Sequence, residues 1–301
     1  MSNQATAEMQ SRARELLEGG QAAAVLGYAA GSSPGATTPI LIRDAADAGK
    51  LVLNANCLNN LAVYLTRPEI RKLGSVAIVA KPADVKAVFV LIQENQIARD
   101  KVAIIGVTIP ACGRAGDCLE DSASPPLPAT NTSTDCAVLP GRTHEELLDW
   151  LTKNLLPAEL DANELADVAN LAGKTPAERF EFWREQSARC IRCYACRQVC
   201  PLCYCTRCVV EKNRPQWVET SSHERGNLAW NITRAFHLAG RCTGCGACER
   251  ACPAGIPLML LNRKLAREVR DNFHGYVAGY SLEGEPVFAG YRPDDPNEFF
   301  E

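Results

Sequence analysis

The chain has no surplus of positive charge. It carries 32 Lys and Arg against 35 Asp and Glu, a formal net charge of −3. Chains that bind nucleic acid usually leave a basic footprint, so no nucleic-acid partner is expected. Long apolar runs are also missing. The longest, 85–92 and 102–109, fall far short of the ~20 residues that a membrane-spanning helix needs, so no direct membrane span is expected. The opening ten residues are polar and hold no apolar core of the kind a secretory signal carries. The expected location is therefore the cytoplasm. There is no GxGxxG, no GxxxxGK[ST], no GxSxG and no CxxCH. Dinucleotide, ATP, acyl-transfer and haem c sites consequently have no sequence warrant. Histidine is scarce, and His144, His223, His237 and His274 are isolated from one another. Each reads as a surface or packed residue before it reads as a ligand.

Cysteine is what the chain has in excess: 15 in 301 residues. In a long chain with no signal, that number points to metal or redox chemistry and away from disulfides. Eleven of the cysteines fall between Cys190 and Cys252. The other four, Cys57, Cys112, Cys118 and Cys136, are scattered through the first half. Those four show no ligand spacing. Buried structural thiols are their default reading, and a shared four-cysteine site is the alternative.

The first half reads as α/β. A helix is expected over 5–21, strands over 22–28, 39–43 and 51–54, and a helix over 59–65. A strand–helix–strand unit follows over 75–80, 83–97 and 101–107, which predicts a mostly parallel sheet covered by helices. Residues 121–134, rich in Ser, Pro, Thr and Asn, read as a loop. Helices are expected over 143–155, 158–172 and 175–189, the last opened by Thr175 with Pro176 at the first helical position. Further helices are expected over 227–238 and 257–271. This gives an α/β domain over 1–142, a helical domain over 143–280, and an acidic tail over 281–301, extended or disordered.

Two segments match one template. The first is Cys190-x2-Cys193-x2-Cys196-x3-Cys200-Pro201; the second is Cys242-x2-Cys245-x2-Cys248-x3-Cys252-Pro253. This is the spacing of bacterial dicluster ferredoxins, in which the fourth cysteine of each run serves the other cluster. Three cysteines two residues apart let a tight loop wrap three corners of a cubane, and the proline ends the loop. Gly244 and Gly246 permit close approach of the backbone to the sulfurs. The expected ligands are Cys190, Cys193, Cys196 and Cys252 for one 4Fe-4S cluster. Cys242, Cys245, Cys248 and Cys200 are expected for the other. Structural zinc is the bland alternative, but it does not account for two complete runs.

Cys203, Cys205 and Cys208 follow at once. They read either as a third metal centre, iron–sulfur or zinc, or as reduced thiols packed around the clusters. For a third centre, Cys57, Cys112, His223 or an exogenous group is the candidate fourth ligand. Arg192, Arg197, Arg207, Arg241 and Arg250 surround the motifs. They are able to offset thiolate charge or to serve as ordinary solvated charge.

The long gap between the runs and the flanking helices resemble the α-helical ferredoxin of the fumarate reductase iron–sulfur subunit and the heterodisulfide reductase small subunit. The segment CIRCYACRQVCPLCYC over 190–205, with HLAGRCTGCGAC over 237–248, resembles the iron–sulfur beta subunits of formate dehydrogenases, relatives of the beta subunits of deazaflavin-reducing hydrogenases. VKAVFVLIQENQIARDKVAIIG over 85–106 and LVLNANCLNNLAVYL over 51–65 are similar to that family as well, so the likeness runs over roughly 20–280. Two departures stand out. Lys81-Pro82-Ala83-Asp84 replaces the family's Lys-Gly-Cys-Asp, and Gly106-Val107-Thr108-Ile109 replaces its Gly-Val-Pro-Cys. The resemblance implies an electron-transfer subunit working with a catalytic redox subunit of a larger complex. From the hydrogenase branch it also implies an FAD site within 1–142, to which no residue is assigned. The alternative function is a flavin-containing subunit that converts single electrons to hydride for a soluble carrier.

Overall fold

The computed structural model describes residues 2–109, 136–154, 168–211 and 214–287. Cys112, Cys118, the expected loop over 121–134 and most of the expected helix over 158–172 lie outside the described residues. The chain divides into two compact units, Met1–Glu159 with Gly279–Gly284, and Leu160–Ala278 with Glu285–Glu301.

The first unit is built on a five-stranded mixed sheet. Its strands are β1 (Ala24–Ala30), β2 (Thr37–Ile42), β3 (Val76–Ala80), β4 (Val102–Thr108) and β5 (Ala137–Val138), in the order β2-β1-β3-β4-β5. β1 pairs parallel with β3, and β3 with β4. β2 and β5 run antiparallel at the two edges. The expected mostly parallel sheet is thus a mixed one. β1 and β2 are joined by a short Gly/Ser/Pro loop, too short for the crossover that a parallel pair needs. β3 is buried along its whole length, as a central parallel strand should be, while β2 tolerates Pro39 because it is an edge strand.

Three helices of more than ten residues accompany the sheet, besides a single turn at Pro68–Arg71: α1 (Ser2–Glu18), α2 (Pro82–Gln93) and α3 (His144–Asn154). α2 contributes Val85, Val88, Phe89 and Leu91 to the core, all fully buried. It ends short of the expected boundary because Asn95 turns into the left-handed region at φ 54. The segment 51–54, expected as a strand, lies outside the sheet. A 3-10 helix over Ala45–Lys50, capped by the Asp44 carboxylate accepting from the Ala46 N–H at 2.9 Å, delivers the chain there. Leu51 and Leu53 are buried all the same. The expected helix over 59–65 is one 3-10 turn, Leu61–Tyr64. From the tail, Gly279–Gly284 belongs to this unit: Tyr280 receives the Lys86 ammonium on its ring at 5.2 Å, and Gln93 Nε2 donates to Glu283 O at 3.2 Å. Residues 288–301 lie outside the described residues.

The described elements of the second unit are helical. They are α4 (Pro176–Ala188), α5 (Ala195–Gln198), α6 (Glu224–His237), α7 (Ala247–Arg250) and α8 (Leu258–Asn272). α4 packs on α6, α6 on α8, and the short α5 on the short α7. Among the described residues no helix is long and apolar enough to cross a membrane.

Candidate metal centre

The two cysteine runs fold the same way. α4 precedes the first, and its N-terminus is closed by a capping box. Glu178 N–H donates to Thr175 Oγ1 at 3.3 Å, and Thr175 N–H donates to Glu178 Oε2 at 2.8 Å. α6 precedes the second, with the His223 imidazole Nδ1 accepting from Gly226 N–H at 3.4 Å. After the first cysteine of each run the backbone turns left-handed twice at matching places. These are Arg192 (φ 59) and Tyr194 (φ 59) in one run, and Gly244 (φ 74) and Gly246 (φ 68) in the other. A single helical turn follows, α5 or α7. In both cases the fourth cysteine then closes back onto that turn, Cys200 N–H to Arg197 O at 3.3 Å and Cys252 N–H to Glu249 O at 3.0 Å. In the second run the left-handed residues are glycine, which adopts that conformation freely. In the first they are not, and side-chain contacts hold them there.

Those contacts come largely from α6. Asn227 Nδ2 donates to Cys190 O at 2.7 Å, and its Oδ1 accepts from Arg192 Nε at 3.0 Å. Arg192 also donates to Glu219 O. The Tyr194 ring meets Trp230 edge-on, 5.2 Å between centroids at 82°. Arg234 Nη2 donates to Cys196 O at 3.0 Å. On the other side of the sulfurs, Met259 N–H donates to Glu249 Oε2 at 2.9 Å, and Asn262 Nδ2 lies 3.8 Å from Cys248 Sγ. Cys190, Cys196, Cys242 and Cys252 all pack against one small apolar cluster of Cys248, Ile256, Leu258 and Met259.

The thiols of the two runs act on one another electrostatically. Burial pushes Cys196 up to about 11, with Cys248, Cys190 and Cys252 adding to it and Arg234 opposing. Cys242 is pushed up to about 12 by burial, helped by Cys245 and Cys200. Cys248 reaches about 12 by burial, helped by Cys200, Cys242 and Cys245. Thus Cys196 of the first run is influenced by Cys252 of the second, and Cys242 and Cys248 of the second run by Cys200 of the first.

Residues 186–256 match the 4Fe-4S dicluster domain family. The chain is 37% identical over 109 residues to the F420-dependent formate dehydrogenase subunit beta of Methanocaldococcus jannaschii. It is 34% identical over 113 residues to the F420-dependent formate dehydrogenase 1 subunit beta of Methanococcus maripaludis. Over these segments the chain is similar to the beta subunits of formate dehydrogenases. The two matches take in 36% and 38% of this chain and 28% of each relative, so the matched segments span under a third of the relatives' own length.

The donor set of the two runs suits iron–sulfur clusters. Burial makes Cys196, Cys242 and Cys248 resist ionisation, as a hydrogen bond with Cys203 together with burial does for Cys200, and a bound metal would reverse that by stabilising each thiolate. Among the described residues no three His, Cys, Asp or Glu side chains are gathered as the ligands of one ion. A cubane spreads its thiolates over its corners, farther apart than the ligands of a single ion. All the described cysteines are free thiols.

The remaining cysteines separate into different settings. Cys203 shares a side-chain hydrogen bond with Cys200, which raises Cys200 together with burial and lowers Cys203 against the opposing effect of burial. Cys208 packs against the apolar cluster of Val210, Val218 and Trp230, and Cys205 is exposed. His223, one candidate fourth ligand, is engaged as the cap of α6 and by Glu219 Oε2, 2.8 Å from its Nε2. In the first unit Cys57 is buried, accepts from Asn54 N–H at 3.4 Å, and has Cys136 among the groups that raise its pKa, burial being the chief cause.

The arginines near the motifs are largely occupied elsewhere. Arg197 pairs with Glu211, and Arg241 stacks over Tyr204 at 4.9 Å. Sequence reasoning missed Arg234. Its signal was present: Asn227, Trp230, Asn231 and Arg234 recur at three- and four-residue spacing, a stripe that faces inward. All four are buried.

Proposed function

We propose that this chain is an iron–sulfur electron-transfer subunit of a multi-subunit oxidoreductase, formate dehydrogenase- or hydrogenase-like, working in the cytoplasm beside a catalytic redox subunit. Bound 4Fe-4S clusters supply reversible one-electron transfer. The protein's part is to bury the thiolates, to fix the two loops by hydrogen bonds from α6, and to keep the two donor sets close. Cys190, Cys193, Cys196 and Cys252 hold one cluster in this reading; Cys242, Cys245, Cys248 and Cys200 hold the other. The observation that carries it is that thiols of both runs, Cys190 and Cys196 of the first and Cys242 and Cys252 of the second, pack on one cluster with Cys248 in it. The all-helical surroundings of the two runs support an α-helical ferredoxin, and the beta-subunit names of the relatives support a catalytic partner. Three separate settings for Cys203, Cys205 and Cys208 favour packed thiols over a third centre of iron–sulfur or zinc.

The test is anaerobic purification with iron and sulfide quantitation of wild type, Cys252→Ser and Cys200→Ser. A full two-cluster iron content in wild type is expected, with each serine variant altering the EPR signal of a different cluster. Iron well below that content in wild type, or both variants altering one and the same cluster, overturns the reading.

A second reading, an FAD-containing subunit that passes hydride to a soluble carrier, is favoured by topology. The chain leaves β1 toward one edge and returns through β3 toward the other. Open α/β sheets bind ligands outside the strand ends where the order reverses. Lys81 stands at that end of β3, but its ammonium is already engaged by Tyr28 Oη, Asn59 O at 2.8 Å and Asp84 Oδ2 at 2.6 Å. No flavin-binding residue is therefore named. Flavin released stoichiometrically on denaturation supports this second reading, and its absence after mild purification counts against it.

A further inference from the structure

Arg234 lies in the buried stripe of α6 and is only 4% exposed. Among the described residues it makes no ion pair with a carboxylate. Its Nη2 donates to Cys196 O at 3.0 Å. Its Nε–H is buried and has no hydrogen-bond partner among the described residues. A buried, uncompensated guanidinium costs several kcal/mol, so this position needs an anion. Burial acts on it most strongly and disfavours its charge; the groups that oppose this are sulfurs, Cys248, Cys200, Cys203 and Cys196, and Cys196 itself packs on the cluster that contains Cys248. Under the ligand assignment above, Cys196 belongs to one cluster, and Cys200 and Cys248 to the other.

We infer that Arg234 is a positioning residue whose charge is shared by both clusters. It anchors the first loop through Cys196 O, keeps an unpartnered N–H buried beside it, and raises both reduction potentials together. The inference rests on the two-cluster reading. Each added electron makes a thiolate-ligated cluster more negative, so a fixed cation within reach of both donor sets favours the reduced form of both. Five other arginines near the motifs stood out in the sequence. Arg197 and Arg241 are satisfied by a carboxylate and an aromatic ring, and Arg192 by Asn227 and a backbone carbonyl.

The experiment is an EPR-monitored redox titration of the iron-loaded full chain as wild type, Arg234→Gln, Arg234→Lys and Arg225→Gln. Arg225 is exposed on the same helix and serves as the control. In Arg234→Gln both potentials are expected to fall, whereas Arg225→Gln leaves them unchanged. Arg234→Lys keeps the charge and recovers most of the difference. Potentials that stay at the wild-type value in a fully loaded Arg234→Gln protein overturn the inference, as does a fall in one cluster only. If Arg234→Gln does not load iron, wild type grown with nitrogen-15 arginine decides the matter. Hyperfine coupling of guanidinium nitrogen to both reduced clusters is expected, and its absence overturns the inference. A wild type that lacks the two-cluster iron content defeats the underlying reading instead, before Arg234 is tested.

Discussion

At the scale of single residues, the two cysteine runs solve one backbone problem in two ways. The second run places glycine where the chain turns left-handed; the first places Arg192 and Tyr194. A left-handed non-glycine residue costs roughly 1–2 kcal/mol, so something must offset it. For Tyr194 the offset is its ring against Trp230, an aromatic pair worth about 0.5–1.5 kcal/mol beyond the area it buries. Tyr194 is only partly buried, so its ring adds roughly 1 kcal/mol, a part of what full burial gives. The sum exceeds the strain. Tyr194→Gly is therefore expected to destabilise the iron-loaded protein by about 0.5 kcal/mol, even though it removes the strain. Urea unfolding under anaerobic conditions reads this directly, and a variant more stable than wild type refutes it. The cysteine spacing was legible in the sequence because cubane geometry dictates it. The strained turn in the first run was not, because neither Arg nor Tyr signals a left-handed turn.

At the scale of elements, burial and hydrogen bonding gave different signals. Residues 51–54 look like a strand because Leu51 and Leu53 are apolar, but apolarity reports burial and says nothing about a ladder. The strand–helix–strand unit was legible because β3 and β4 are short apolar runs separated by a helix-length segment. The antiparallel edges were not: the strand expected over 39–43 overlaps β2 but carries no signal of its direction, and β5 has two residues. The helix before the first run was legible from its cap. Thr175→Ala removes the Oγ1 that accepts from Glu178 N–H, and a lost N-cap costs about 1 kcal/mol. Faster amide exchange in the first turn of α4 is expected, with α6 unchanged; equal rates in α4 refute it.

α3 supplies a pH dependence. Its first residue, His144, has its pKa lowered by burial and then by Arg99. Its Nε2 is buried without a hydrogen-bond partner among the described residues. The folded state therefore resists protonation that the unfolded chain accepts near the ordinary imidazole value of about 6.5. The first unit is fully stable above that value and loses stability as the pH falls below it toward the depressed folded value. His144→Gln is expected to flatten this slope. Thermal unfolding from pH 7.5 to 5 checks it, and an unchanged slope in the variant refutes the assignment to His144.

At the scale of the whole molecule, the two units draw stability from different sources. The first has a large apolar core that includes Met9, Tyr28, Leu53, Ile78, Phe89 and Leu147, all at most 2% exposed. In the second, the buried apolar clusters around the cysteine runs are small. One is Cys248 with Ile256, Leu258 and Met259; the other is Val210 with Val218 and Trp230. Candidate ligand thiols line both. Where the thiols are part of so small a core, metal binding and folding are coupled, and the binding free energy becomes folding free energy. Removing iron should then unfold the second unit and spare the first. Anaerobic chelation of the loaded protein is expected to abolish one thermal transition and leave the other at its original temperature. Hydrogen exchange should rise sharply across 176–272 and stay protected in β1, β3 and α2. If both units lose protection together, the first unit has no independent stability. If neither does, the cysteine runs fold without metal, and the packing of Trp230 and Met259 is sufficient by itself.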